Sequence, residues 1–71
     1  MPTLVRAVFP GTFDPITLGH EDMLRRACAL FGEVIVAVAM AHHKKTLFTL
    51  DERLAITRQA LVDMPKVRVE P

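Results

Sequence analysis

The spacing of apolar residues changes repeatedly along this chain, and each change marks an element. Residues 4–9 (LVRAVF) are a short run rich in β-branched and aromatic side chains. Pro10-Gly11 follows, a strong turn signal, so the run predicts a first strand closed at residue 10. From 19 to 31 the period lengthens. Met23, Ala27 and Leu30 fall at i, i+4, i+7, with Leu24, Ala27 and Phe31 beside them and Glu21, Asp22, Arg25 and Arg26 opposite. That is an amphipathic helix, with Gly32 expected to end it.

Residues 33–40 (EVIVAVAM) are nearly continuous apolar sequence. Such a run predicts a strand buried on both faces, in a parallel sheet covered by helices. Residues 41–48 read as a loop carrying His42, His43, Lys44 and Lys45. Thr49 and Glu52 have capping-box spacing and open a second helix, with Leu54, Leu61 and Met64 on its buried face and Pro65 as its stop. Residues 66–70 (KVRVE) alternate as a last short strand. The order is β-α-β-α-β, the unit of a Rossmann-like α/β doubly wound parallel sheet, of which three strands and two helices are half. Met23, Leu30, Leu54 and Leu61 are expected in the core, with Cys28 a small core residue of the first helix.

The loop between the first strand and first helix, PGTFDPITLGH, is where an open α/β sheet binds ligands. The following helix offers free N–H groups and a partial positive charge, both suited to phosphate. Gly11 and Gly19 are expected to let backbone approach a ligand closely, with Thr17 as helix cap. His20 would lie in the first helical turn, its ring N–H directed at whatever the amides hold, where it stabilises charge developing on phosphate oxygens. Asp14, before Pro15, is expected to shape a turn. The loop matches neither G-x-x-x-x-G-K-[ST] nor G-x-G-x-x-G, which weakens P-loop and NAD-dehydrogenase readings.

Composition narrows the rest. At 71 residues the chain is one small domain or a piece of a larger one, and 51% hydrophobic with 24% charged residues is a globular balance. A net charge of +1 offers no global field for nucleic acid or membrane. Cys28 is the single cysteine, so no internal disulfide forms and a reducing compartment is expected. Neither a signal-peptide pattern nor a membrane-length apolar run occurs, which points to a cytoplasmic protein. His42-His43, without Cys or carboxylate partners beside them, read as exposed loop residues rather than metal ligands.

The stretch G-T-F-D-P-I-T-L-G-H resembles the signature of the nucleotidyltransferase superfamily with the H/T-x-G-H motif. Pro15 and Thr17 are similar to the phosphopantetheine adenylyltransferase family in particular, and Thr17 argues against other acceptors such as nicotinamide mononucleotide. Lys44-Lys45 and the segment FTLDER at 48–53 are similar to the same family's next segment. The resemblance implies adenylyl transfer from ATP to 4′-phosphopantetheine, giving dephospho-coenzyme A and pyrophosphate, with Mg2+ on the ATP phosphates and a homo-oligomeric assembly. It also implies roles for residues. His20 would bind ATP phosphates and stabilise the transition state, Thr12 and Phe13 would line the ATP site, and Thr12 and Lys44 would contact the acceptor phosphate. Members of that family continue past a third strand into further strands. Residues 1–71 are therefore expected to be the N-terminal part of one nucleotidyltransferase domain, with half of the ATP site and an unpaired edge on strand one. The alternative is a catalytically inactive half-domain that binds anions or self-associates.

Overall fold

The computed structural model describes residues 5–40 and 45–71. Its elements are β1 (Arg6–Gly11), α1 (Leu18–Leu30), β2 (Glu33–Val38), α2 (Leu50–Ala60) and β3 (Val67–Glu70). The strands form one parallel sheet in the order β1-β2-β3. The β-α-β-α-β order expected from the sequence is therefore present, as part of a Rossmann-like α/β fold.

Both crossovers step in the same direction across the sheet, so right-handed connections bring both helices to one face. Val34, Val36 and Val38 of β2 and Val69 of β3 point to that face and are buried. Leu24 and Ala27 from α1 and Leu54 from α2 meet them, with Leu61 and Met64 closing the core behind α2. Each fully buried valine or leucine contributes about 2 kcal/mol of transfer free energy.

The expectation of a strand buried on both faces is corrected here. Register places Val8 opposite Ile35 and Pro10 opposite Ala37, while Arg6, Glu33, Arg68 and Glu70 share their face. No described helix covers it, and Val8 is 59% exposed. Half of this face is a charged stripe, with Glu33 held by Arg6 at 2.8 Å and by Arg68 at 3.6 Å. The apolar run of β2 is thus packed on one side and only half-buried on the other.

Several boundaries also move. Pro10 and Gly11 lie inside β1 rather than ending it, because the ladder runs on to the Gly11–Val38 pair and Gly11 C=O accepts from Ala39 N–H at 2.8 Å. The carbonyls of Val5 and Gly11 face β2. Backbone groups alternate, so Arg6, Val8 and Pro10 turn theirs to the outer edge, where the missing N–H of Pro10 disturbs no pairing. Helix α1 ends at an extended Phe31 (φ −119°), and no glycine has positive φ, so Gly32 does not act as a left-handed cap. Helix α2 stops at Ala60, ahead of Pro65, through a turn in which Leu61 N–H donates to Thr57 C=O.

Two expected core residues are exposed, Met23 at 43% and Leu30 at 74%. They share one line of α1, about 100° from the line of Leu24 and Phe31 that faces the sheet. Cys28, on the buried side, is half-buried against the core.

Candidate active site

The carboxyl end of β1 opens into residues 12–17, which meet residues 45–49, ahead of α2, through Asp14. Thr12 follows the last residue of β1, half-buried. Phe13 comes next with φ 49°, the left-handed region that non-glycine residues rarely adopt, and its side chain is 5% exposed. Its ring occupies the space a side chain at Gly11 would need, since a Cβ there would lie 2.9 Å from the ring. Gly11 therefore makes room for Phe13, which corrects the expectation that it clears space directly for a ligand. At Gly19 a Cβ would meet nothing closer than Thr17 Oγ1 at 3.6 Å. The Asp14–Pro15 peptide is cis.

Thr17 caps α1, as expected, and His20 is its partner. Thr17 Oγ1 accepts from His20 N–H at 3.2 Å, and Thr17 N–H donates to His20 Nδ1 at 3.0 Å. Thr17 Oγ1 also lies 3.1 Å from Nδ1. This is a capping box in which an imidazole takes the place usual for Glu or Gln. A backbone N–H can only donate, so Nδ1 accepts and the neutral ring carries its proton on Nε2. The box thus fixes both tautomer and orientation, with Nε2–H as the donor left for something else. The ring packs edge-on to Phe13, with centroids 5.0 Å apart at 67°. Phe13 and His20 are brought into contact, with Thr12 the adjoining residue. Lys44, His42 and His43 lie outside the described residues.

Two charged residues hold the loops together. Asp14 accepts from Leu47 N–H at 2.6 Å and from Phe48 N–H at 2.9 Å, so the turn-shaping residue also anchors the second loop. Arg53, in the first half of α2, is 2% exposed. Its Nε donates to Phe48 C=O at 3.2 Å, and its Nη1 to Thr12 C=O at 2.8 Å and Ala39 C=O at 2.7 Å. A buried guanidinium is costly unless its donors are engaged, and here they tie the exits of both strands to the start of α2. Sequence reasoning gave Arg53 no role. The available signal was a basic residue at a position that helical period turns toward Leu54 and Thr57, both buried.

The arrangement presents N–H donors, from the first turn of α1 and from His20 Nε2, around a rigid loop at the carboxyl edge of a parallel sheet. That combination suits an anion such as phosphate. Among the described residues, no group of three or more His, Cys, Asp or Glu is placed to hold a metal ion. A cavity of about 230 Å³ opens at the opposite end of the sheet, between Arg25, Cys28, Met64 and Lys66, and shares no residue with this loop.

Comparison with known proteins places the chain in a family. Among curated relatives, the phosphopantetheine adenylyltransferase of Acidovorax sp. (strain JS42) is 73% identical over 66 residues, 93% of this chain and 40% of the relative. That of Thiobacillus denitrificans is 58% identical over 67 residues, 94% of this chain and 42% of the relative. That of Nitrosospira multiformis is 59% identical over 66 residues, again 93% and 40%. The chain thus spans about 40% of the length of the curated relatives it matches. The family model described as cytidylyltransferase-like matches residues 8–71, taking in the loop, both helices and all but the start of the sheet. The chain belongs to the cytidylyltransferase-like family.

Proposed function

We propose that this chain supplies the phosphate-binding half of a pantetheine-phosphate adenylyltransferase. The reaction joins ATP and 4′-phosphopantetheine: a phosphate oxygen of the acceptor bonds to the α-phosphorus of ATP, and the bond from that phosphorus to the pyrophosphate leaving group breaks. The products are dephospho-coenzyme A and pyrophosphate. The nucleophile is already anionic, so the protein's task is alignment and charge stabilisation.

One observation carries this reading. His20 is locked by Thr17 in the form that keeps its proton on Nε2, beside the free amides of the α1 N-terminus. In this role Nε2–H donates to phosphate oxygens of ATP and gains strength as charge builds on them. Thr12 and Phe13 line the nucleotide side, and Thr12 and Lys44 meet the acceptor phosphate, Lys44 as a point charge on a flexible stem. Mg2+ enters with the ATP phosphates, since the loop's carboxylate, Asp14, is already engaged by the Leu47 and Phe48 amides. The whole enzyme is a cytoplasmic homo-oligomer in this reading, with no part for nucleic acid or membrane. Among the described residues no helix is long and apolar enough to cross a membrane.

Pyrophosphate release, measured with ATP, Mg2+ and 4′-phosphopantetheine, tests the proposal. The assay compares this chain with a fusion that adds the rest of the Acidovorax relative. Turnover by the fusion is expected, and its absence from both proteins would overturn the reading. A second reading is a catalytically silent half-domain that binds anions or self-associates. Among the described residues, the uncovered sheet face and the unpaired outer edge of β1 favour it. Turnover by the fusion alone would assign the isolated chain to that reading.

A further inference from the structure

We infer that Arg53 and Asp14 are positioning residues that preset the Thr12–Phe13 peptide for an anionic ligand, an inference that rests on the phosphate-loop reading above. Neither residue touches the expected ligand position. Their contacts close a ring instead. Arg53 Nη1 donates to Thr12 C=O, Arg53 Nε donates to Phe48 C=O, and Phe48 N–H donates to Asp14, two residues along from Thr12. The backbone of Phe48 is thus gripped on both sides, its N–H by Asp14 and its C=O by Arg53, so the opposite charges meet through this residue rather than directly.

Peptide planarity turns this ring into an aiming device. The Thr12 carbonyl and the Phe13 N–H belong to one trans peptide, so they point in opposite directions. With the carbonyl drawn inward to the buried guanidinium, the Phe13 N–H points the opposite way, away from Arg53. The left-handed conformation of Phe13 belongs to the same device. A phenylalanine at φ 49° costs about 1–2 kcal/mol relative to ordinary backbone and persists only where its surroundings over-determine it. Here the surroundings are the Arg53 bond before it, the Asp14 bonds after it and the Gly11 notch beneath its ring. Arg53 Nη1 also holds Ala39 C=O, so the same group fixes where β2 hands over to the second loop.

The test titrates the 15N-labelled chain with inorganic triphosphate and follows the amides of Thr12, Phe13 and His20 by NMR. The wild type is compared with Arg53→Lys, which keeps the charge but lacks the planar fork that reaches three carbonyls. Peaks of the folded state report the affinity of folded molecules alone, so lost stability by itself does not move the result. Arg53→Lys is expected to weaken triphosphate about tenfold and to shift the Phe13 amide in the absence of ligand. Equal affinity with an unshifted Phe13 amide overturns the positioning role while leaving the phosphate loop intact. A wild type in which none of the three amides responds overturns the phosphate-loop reading and this inference with it. Should Arg53→Lys lose its dispersed spectrum, Asp14→Asn opens the same ring from the other side and decides by the same two readouts.

Discussion

The two helices of this chain begin with the same device and end up with different properties. Each has a threonine cap whose hydroxyl accepts from the amide three residues on, and each has a partner reaching back to the cap's own N–H. At α2 the partner is Glu52, which accepts from Thr49 N–H at 2.9 Å. At α1 it is His20. A carboxylate satisfies a helix start and neutralises its partial positive charge, as Asp51 and Glu52 do together in α2. A neutral imidazole satisfies the same amide and adds a donor of its own, so the first turn of α1 carries one acidic residue, Glu21, where that of α2 carries two. The difference separates a helix start built for stability from one that, in the proposed reading, stays receptive to anions.

His20→Glu should have the largest effect, because it makes the first box a copy of the second. Triphosphate affinity should fall about 100-fold or more, while denaturation by urea shows stability unchanged or raised by up to ~1 kcal/mol. Loss of fold with loss of binding would break the comparison. Thr17→Ala should come next, weakening triphosphate about tenfold by releasing the ring and costing about 1 kcal/mol of stability. Thr49→Ala should cost the same ~1 kcal/mol in urea and leave triphosphate binding unchanged by calorimetry. Glu52→His should have the smallest effect, roughly 0.5 kcal/mol, and should create no anion site, because Asp51 keeps a negative charge in that first turn. Triphosphate binding by α2 in that variant would show that a histidine box alone suffices.

Much of this was legible beforehand, for identifiable reasons. The Thr49–Glu52 box, the burial of Leu54, Leu61 and Met64, and the strand–helix order all follow from short-range spacing. The Thr17–His20 box was only half visible: Thr17 reads as a cap, but the sequence pattern for its partner names Glu or Gln, and His satisfies the geometry without matching the letters. Met23 and Leu30 were misplaced because two adjacent apolar lines run along α1 and spacing alone does not say which one meets the sheet. The open face of β2 depends on which helices are present to cover it, a property of topology rather than of the strand. Arg53 was hidden for a similar reason. Its partners Thr12 and Ala39 lie 41 and 14 residues away, and a carbonyl acceptor leaves no trace in residue identity.

The ring of Phe13 resting where a Gly11 side chain would stand makes these two positions a single unit of inheritance. Alanine at position 11 would displace the ring that packs against His20, so that change alone should be disfavoured in any selection for function. Paired with a smaller residue at position 13, the same alanine loses most of its steric penalty. In a library randomised at both positions, the survivors should therefore be enriched for combinations, and the tolerance measured at either site alone would mislead about the other.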